Sequence, residues 1–131
     1  MNPSGQTIVR RLGPGDEDVV RQLADDDPQT ALLSDESTIF VAAFDGDRPI
    51  GFAFGYDLPR RHGAPSILFV YEVDVDEPYR RRGIATELMR ALRRESRSAE
   101  AFVLTEPDNE AANGLYASLG GTRVETVMWD Y

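Results

Sequence analysis

The segment from Ser66 to Ala85 constrains this chain more than any other. Ser66–Val75 reads as a strand, with Ile67-Leu68-Phe69-Val70-Tyr71 followed by Glu72-Val73-Asp74-Val75. Its unbroken apolar first half suggests a central strand covered on both faces. Asp76–Arg82 is a polar loop containing Pro78 and three successive arginines, Arg80, Arg81 and Arg82. Gly83 then opens an amphipathic helix that runs to Ser96. Ile84, Leu88 and Leu92 share one face, Ala85 and Met89 lie beside them, and arginines cover the other. The first N–H groups of such a helix lack internal partners and carry partial positive charge. Gly83 has no Cβ, so an anion can approach the backbone closely. Arg81 and Arg82 can add charge-assisted hydrogen bonds to phosphate oxygens. The turn therefore suits a pyrophosphate, although an ordinary basic helix start fits the same residues. No Gly-x4-Gly-Lys-Ser/Thr is present, which excludes a P-loop, and no Gly-x-Gly-x-x-Gly stands at this turn.

Charge distribution sharpens the picture. The chain carries a net −9, which argues against general nucleic-acid binding. Every one of its 14 basic residues is arginine, and seven of these lie between Arg80 and Arg97 against only Glu87 and Glu95. That stretch holds +5 and the remainder −14. One basic segment in an acidic protein fits one anionic and one cationic ligand; a solvated helix face fits the charge as well. There is no cysteine, so a disulfide framework, a thiolate metal site and a cysteine nucleophile are excluded. No apolar run approaches the ~20 residues needed to span a bilayer, and Met1-Asn2-Pro3-Ser4-Gly5 does not resemble an export signal. The expected location is cytoplasmic. A length of 131 residues suits a single domain, 1–131.

The remaining elements follow from patterning. Thr7–Arg11 is a short strand, broken by Gly13-Pro14-Gly15. Asp16 can cap a helix through about Ala24, with Val19, Val20 and Leu23 as its apolar stripe. Asp25-Asp26-Asp27-Pro28 ends it, and a weak second helix holds Ala31, Leu32 and Leu33. Thr38–Phe44 and Arg48–Tyr56 read as strands joined by the turn Asp45-Gly46-Asp47. Leu58–Pro65 is a loop, in which His62 is a surface residue. Ala101–Thr105 is a strand, Asn109–Leu119 a helix stopped by Gly120-Gly121, and Thr122–Tyr131 a final strand. The order β-α-α-β-β-β-α-β-α-β is mixed α/β, with a crossover around Gly83–Ser96.

Two ordered motifs resemble the GNAT superfamily of N-acetyltransferases. Arg80-x-x-Gly83-x-Ala85 matches its Gln/Arg-x-x-Gly-x-Gly/Ala signature at the strand-to-helix position. Asn109-Glu-Ala-Ala112-Asn-Gly-Leu115-Tyr116-Ala-Ser-Leu119-Gly120 resembles its Asn-x-x-Ala-x-x-Leu-Tyr-x-x-x-Gly helix. The resemblance covers about Thr38 to Tyr131. It implies the GNAT fold, a mixed, mostly antiparallel central sheet with splayed strands flanked by helices. It also implies acetyl-CoA as donor, with CoA as product and no metal. Carried over residue by residue, Val73 and Val75 offer backbone to the pantetheine arm. The loop from Arg80 through Arg81, Arg82 and Gly83 to Ile84 and Ala85 cradles the pyrophosphate, and Asn109 bonds the pantetheine arm.

Tyr116 is the family's usual general acid toward the leaving sulfur, although Leu115 and Leu119 beside it also fit a core aromatic. The attacking amine must lose a proton, and Glu72, at the end of the apolar run, is the first choice of base. Asp74 lies on the same face by period two. A carboxylate satisfied by an arginine, or a base acting through water, remains an alternative to Glu72.

Within the superfamily the pattern is similar to the aminoglycoside 3-N-acetyltransferases, agents of antibiotic resistance. Phe40-Val-Ala-Ala-Phe-Asp45, Tyr56-Asp-Leu58-Pro59, Tyr71-Glu72 and Arg80-Arg-Arg-Gly-Ile-Ala-Thr86 carry it. Glu72 stands where that group has Asp, and the helical segment before Thr38 is shorter than usual. Aminoglycosides are polycations, which an acidic cleft attracts. Glu72, Glu106, Asp108 and Glu110 are candidates to line it. Asp25, Asp26, Asp27, Asp35 and Glu36 fall in the region that covers the acceptor side, where solvation alone also accounts for them. The expected partners are a small cationic amine and a second copy sharing a sheet edge, with no nucleic acid and no membrane. Acetylation of another amine, or a silent CoA-binding module, fits the same motifs.

Overall fold

The computed structural model describes residues 7–131. Five strands form one sheet in the order β1-β2-β3-β4-β5: β1 Thr7–Leu12, β2 Thr38–Asp45, β3 Arg48–Pro59, β4 Ser66–Val75 and β5 Ala101–Val103. The first four are antiparallel neighbours, and β5 joins β4 in parallel after the crossover helix α2, Ile84–Glu95. Helix α1, Glu17–Leu23, and a 3₁₀ turn at Thr30–Ser34 cover one face. Helix α2 and helix α3, Glu110–Ser118, pack toward the other.

The sheet separates two apolar cores. On the α2 face, Ile39, Val41, Ala53, Leu68 and Val70 meet Ile84, Leu88 and Leu92. On the α1 face, Phe40, Ala42, Phe44 and Phe54 meet Leu12, Val20 and Leu33. Residues β2 and β3 alternate between these cores because side chains alternate along a strand.

Several sequence expectations need correction. The strand covered on both faces is β2, whereas β4 is next to the sheet edge and leaves Tyr71 exposed on the α1 face. Strand β3 continues through the expected loop to Pro59, because Pro59 still faces Ser66 across the hairpin. Asp16 stands at the N-cap of α1, but its carboxylate accepts from Gly13 N at 2.9 Å and from Arg10 at 3.0 Å rather than from the first-turn amides. The hydrogen bond from Arg10 lowers its pKa, against the opposing effect of burial. The weak second helix is the single 3₁₀ turn. The final strand does not form: residues 122–131 belong to no ladder, and all are exposed.

A buried polar knot fastens the far end of the sheet. Period two turns Asp57 of β3 inward, leaving it 4% exposed. Its carboxylate accepts from Ser96 Oγ at 2.6 Å, Ser98 Oγ at 2.7 Å and Arg97 N at 3.3 Å, just past the end of α2. Ser66 Oγ lies 2.7 Å from Ser98 Oγ, bringing in β4. Burial alone would raise the Asp57 pKa, but these donors outweigh it and hold the carboxyl below its ordinary value.

Candidate active site

The site begins at an irregularity in β4. Val70 faces Gly55 and Glu72 faces Phe54, so Tyr71 is an extra residue, a β-bulge. Gly55 is needed opposite it, because a Cβ there would collide with the Phe69 carbonyl. Before the bulge, Leu68 N donates to Glu100 O, so the even-numbered amides turn toward β5. Beyond it, Asp76 N donates to Ile50 O of β3, so the even-numbered amides now turn the other way. Alternation therefore points the backbone of Val73 and Val75 away from β3. The pairing with β5 stops at Val70, which leaves the edge at Val73 without a strand partner, while Val75 N donates to Asp74 Oδ1 at 3.0 Å and Val75 O accepts from the Arg80 side chain. The splay expected between β4 and β5 is thus a product of one inserted residue.

The turn below the open edge is shaped for an anion. Arg81 has φ 65° and Gly83 has φ 79°, with Arg82 between them at negative φ. Such alternation curls successive N–H groups toward one point. Among the described residues, no hydrogen bond occupies the amides of Arg81, Arg82 or Gly83, and those of Ile84 and Ala85 open α2. A Cβ on Gly83 would meet nothing within 4 Å, so the turn faces open space. The three arginines divide their work. Arg80 turns back to the strand, donating from Nε to Val75 O at 2.7 Å and pairing with Asp74 at 3.4 Å. It braces the turn instead of pointing its guanidinium at a ligand. Arg82 stacks over Tyr79 at 5.4 Å, and Tyr79 Oη donates to Asp45 Oδ2 at 2.7 Å, an interaction that raises the tyrosine pKa.

On the α1 face the bulge gathers carboxylates. Glu72 and Asp74 lie opposite Phe54 and Phe52 on one face of the sheet. Partial burial raises the Glu72 pKa, and the nearby charges of Asp74 and Asp25 raise it further. Asp25 sits just beyond the end of α1. Tyr56 and Tyr71 meet edge-to-face at 5.9 Å beside these acids. Burial, then Tyr71 and Asp35, raise the Tyr56 pKa. This patch is therefore acidic and bordered by aromatic rings, a setting that suits a cationic amine.

The charges that act on Glu72 are Asp74 and Asp25. Glu106, Asp108 and Glu110 are exposed on and after the loop following β5. There the Glu106 carbonyl accepts from Asn109 N at 3.1 Å and from Asn113 Nδ2 at 3.0 Å. Period two pointed to Asp74; no local pattern connected Asp25 to it, because that contact crosses from helix to sheet.

Helix α3 brings the remaining candidates. Asn109 is its N-cap, its side-chain oxygen accepting from Ala112 N at 3.1 Å. Among the described residues no hydrogen bond occupies its side-chain amide nitrogen. Tyr116 is half-buried against the α2-side core together with Leu115 and Leu119. Burial raises its pKa, keeping the phenol protonated at neutral pH. His62 is exposed in the β3–β4 loop. Among the described residues no helix is long and apolar enough to cross a membrane.

Known proteins agree with this architecture. The profile of the acetyltransferase (GNAT) family matches residues 8–120. L-2,4-diaminobutyric acid acetyltransferase of Methylotuvimicrobium alcaliphilum is 37% identical over 82 residues, covering 60% of this chain and 46% of that protein. This chain thus spans about half the length of the curated relatives it matches. A crystal structure of an aminoglycoside acetyltransferase from an uncultured soil metagenomic sample superposes with TM-score 0.84 at 22% identity, covering 95% of this chain and 94% of that one. That enzyme has also been solved with sisomicin. AAC(6′)-Iy with a bisubstrate analogue gives TM-score 0.81 at 21% identity, covering 97% and 98%.

Proposed function

From the premise that the chain belongs to the GNAT family of acetyltransferases, whose acetyl donor is acetyl-CoA, we propose that it acetylates a primary amine of a small polycationic acceptor. The observation that carries this reading is the position of Glu72, beside Val73 on the stretch of β4 that β5 leaves unpaired and among Asp74 and Asp25. An amine attracted by those acids arrives next to a carboxylate whose raised pKa makes it a better base.

The residues present fit the donor. The curled amides from Arg81 to Ala85 suit its pyrophosphate, and the open edge of β4 suits the amides of its pantetheine arm. Asn109 Nδ2 is placed on the helix that borders the same cleft. Bound acetyl-CoA supplies an activated thioester carbonyl. Glu72 takes the proton that the amine must lose before its lone pair attacks. The Tyr116 hydroxyl gives a hydrogen bond or proton to the sulfur as the C–S bond breaks. Amine nitrogen gains the acetyl group, Glu72 gains a proton, and CoA leaves as the thiol. Arg80 holds the loop against Val75 and Asp74 so that the arm and the pyrophosphate are met in one register.

The finer reading is an aminoglycoside acceptor modified at its 3-amino group. The Tyr56–Tyr71–Glu72 arrangement and the acidic patch around it support it. A diamino acid is a second acceptor, favoured by the diaminobutyrate relatives; both present a cationic amine beside further polar groups. The test is a panel of gentamicin-type aminoglycosides and short diamines with acetyl-CoA, with the product nitrogen located by NMR. Acetylation of the 3-amino group is expected. A product carrying the acetyl on another nitrogen removes the 3-N assignment, and turnover on diamino acids alone removes the aminoglycoside. Glu72→Gln should abolish the rising limb of the kcat/KM profile, which in the wild type lies above the ordinary carboxylate range. An unchanged limb assigns the base elsewhere.

A further inference from the structure

We propose that Tyr79 is a positioning residue for the donor's diphosphate: tethered by its hydroxyl to the β2–β3 hairpin, it offers its ring as a platform that holds the Arg82 guanidinium ready at the turn. The inference rests on the reading of Arg81–Ala85 as the diphosphate site. Tyr79 closes the 3₁₀ turn Glu77–Tyr79, which is pinned to the sheet by Asp76 N donating to Ile50 O at 2.8 Å. Tyr79 N donates to Asp76 O at 2.9 Å, which fixes the direction in which the side chain leaves the backbone. The ring is half-buried against the α2-side core. Its hydroxyl donates to Asp45 Oδ2 at 2.7 Å, and Asp45 ends β2 and faces Arg48 across the hairpin. A short bond to a carboxylate is of the strong, charge-assisted kind, so the tip of the ring is held as well as its base. The same bond raises the tyrosine pKa, which keeps the donated proton in place.

Over this fixed ring lies Arg82, its Cζ 5.4 Å from the centroid, within reach of a cation–π attraction. A guanidinium stacked by its face keeps the N–H donors along its edge for another partner. Among the described residues no hydrogen bond or ion pair occupies those donors of Arg82. Arg80, by contrast, is already engaged by the Val75 carbonyl and Asp74. An arginine loose in water gives up rotamer freedom when it meets a phosphate. One that is already stacked has given up part of that freedom beforehand, and so binds more tightly for the same contacts. The hairpin at Asp45 lies more than thirty positions earlier in the chain, yet through Tyr79 it sets the pose of a side chain on the anion turn.

A double-mutant cycle read by calorimetry with CoA on the full chain tests this. Tyr79→Leu keeps an apolar side chain against the core but removes the platform, and should weaken CoA binding by about 5-fold. Arg82→Gln should weaken it by about 10-fold. The combined variant should bind as Arg82→Gln does, because the ring acts through that arginine. Tyr79→Phe keeps the ring without its tether, and should fall between the wild type and Tyr79→Leu. Equal affinity of Tyr79→Leu and the wild type overturns the inference. So does a further loss of about 5-fold when Tyr79→Leu is added to Arg82→Gln, since Tyr79 then supports the turn without acting through Arg82. Tyr79→Met, adaptable enough to fill the same place, completes the cycle if the leucine variant does not fold. A wild-type chain that does not bind CoA removes the diphosphate reading and this inference with it. A wild type that binds CoA while the two substitutions act independently removes the role of Tyr79 alone.

Discussion

Helix α2 buries five residues against the sheet, Ile84, Leu88, Met89, Ala91 and Leu92, whereas α3 buries none. The turn proposed for the pyrophosphate therefore opens a helix whose position is fixed by its own packing. Tyr116, proposed for the leaving sulfur, stands on a helix held by a cap and a few half-buried side chains. Precision is needed at both places in such a site. The two helices should fail in different ways when perturbed.

The largest effect is expected in α2. Leu88→Ala removes a side chain that is fully enclosed, and should cost about 3 kcal/mol in urea unfolding; a loss near that expected for α3 would erase the contrast. Next comes the knot past the end of α2. Asp57→Ala leaves three donors without their acceptor, one buried and two part-buried, and should cost roughly 2 kcal/mol near neutral pH. The pKa of Asp57 is depressed in the folded state, so its contribution is fully present above the unfolded value, about 4, and is lost as pH falls through the folded one. The wild-type and Asp57→Asn stability curves should accordingly converge on acidification below that value.

Gly83→Ala should cost about 1–2 kcal/mol, through the left-handed backbone alone, since the added methyl meets no neighbour. Calorimetry with CoA should show weaker binding by the variant, and an unaltered affinity would detach the turn from the pyrophosphate. In α3, Tyr116→Phe should reduce kcat by about 10-fold, near 1.4 kcal/mol, with CoA affinity retained. Equal losses in affinity would make Tyr116 a packing residue. Leu115→Ala, half-buried on the same helix, should cost the least, about 1 kcal/mol or below.

What could be read from residues alone divides along the same line. Ser66–Val75 and the α2 helix were legible because a long apolar run and a clean amphipathic period both depend only on local order. Gly83 was legible because a strand-to-helix turn needs a residue without a side chain. The bulge at Tyr71 was not, since it shows only in register against β3 and depends on the approach that Gly55 allows. Asp57 carried a signal that went unread: alternation from Ala53 and Gly55 turns it inward, where a carboxylate requires donors. The brace from Arg80 to the Val75 carbonyl was not legible, because charge is visible in a sequence and the carbonyl it meets is not. The failure of Thr122–Tyr131 to form a strand has the same origin. Its composition is that of a strand, but pairing needs a neighbour, and no neighbour is specified by composition.

The extra residue at Tyr71 acts as a phase shifter. It lets one continuous segment hand its hydrogen-bonding groups first to a neighbouring strand and then, three residues on, to the cleft on the same side. The lengths of the two halves are thereby locked. Val73 and Val75 send their side chains into the α2-side core, and deleting a single residue anywhere between Val70 and Val75 would turn those side chains out of it and every subsequent amide with them.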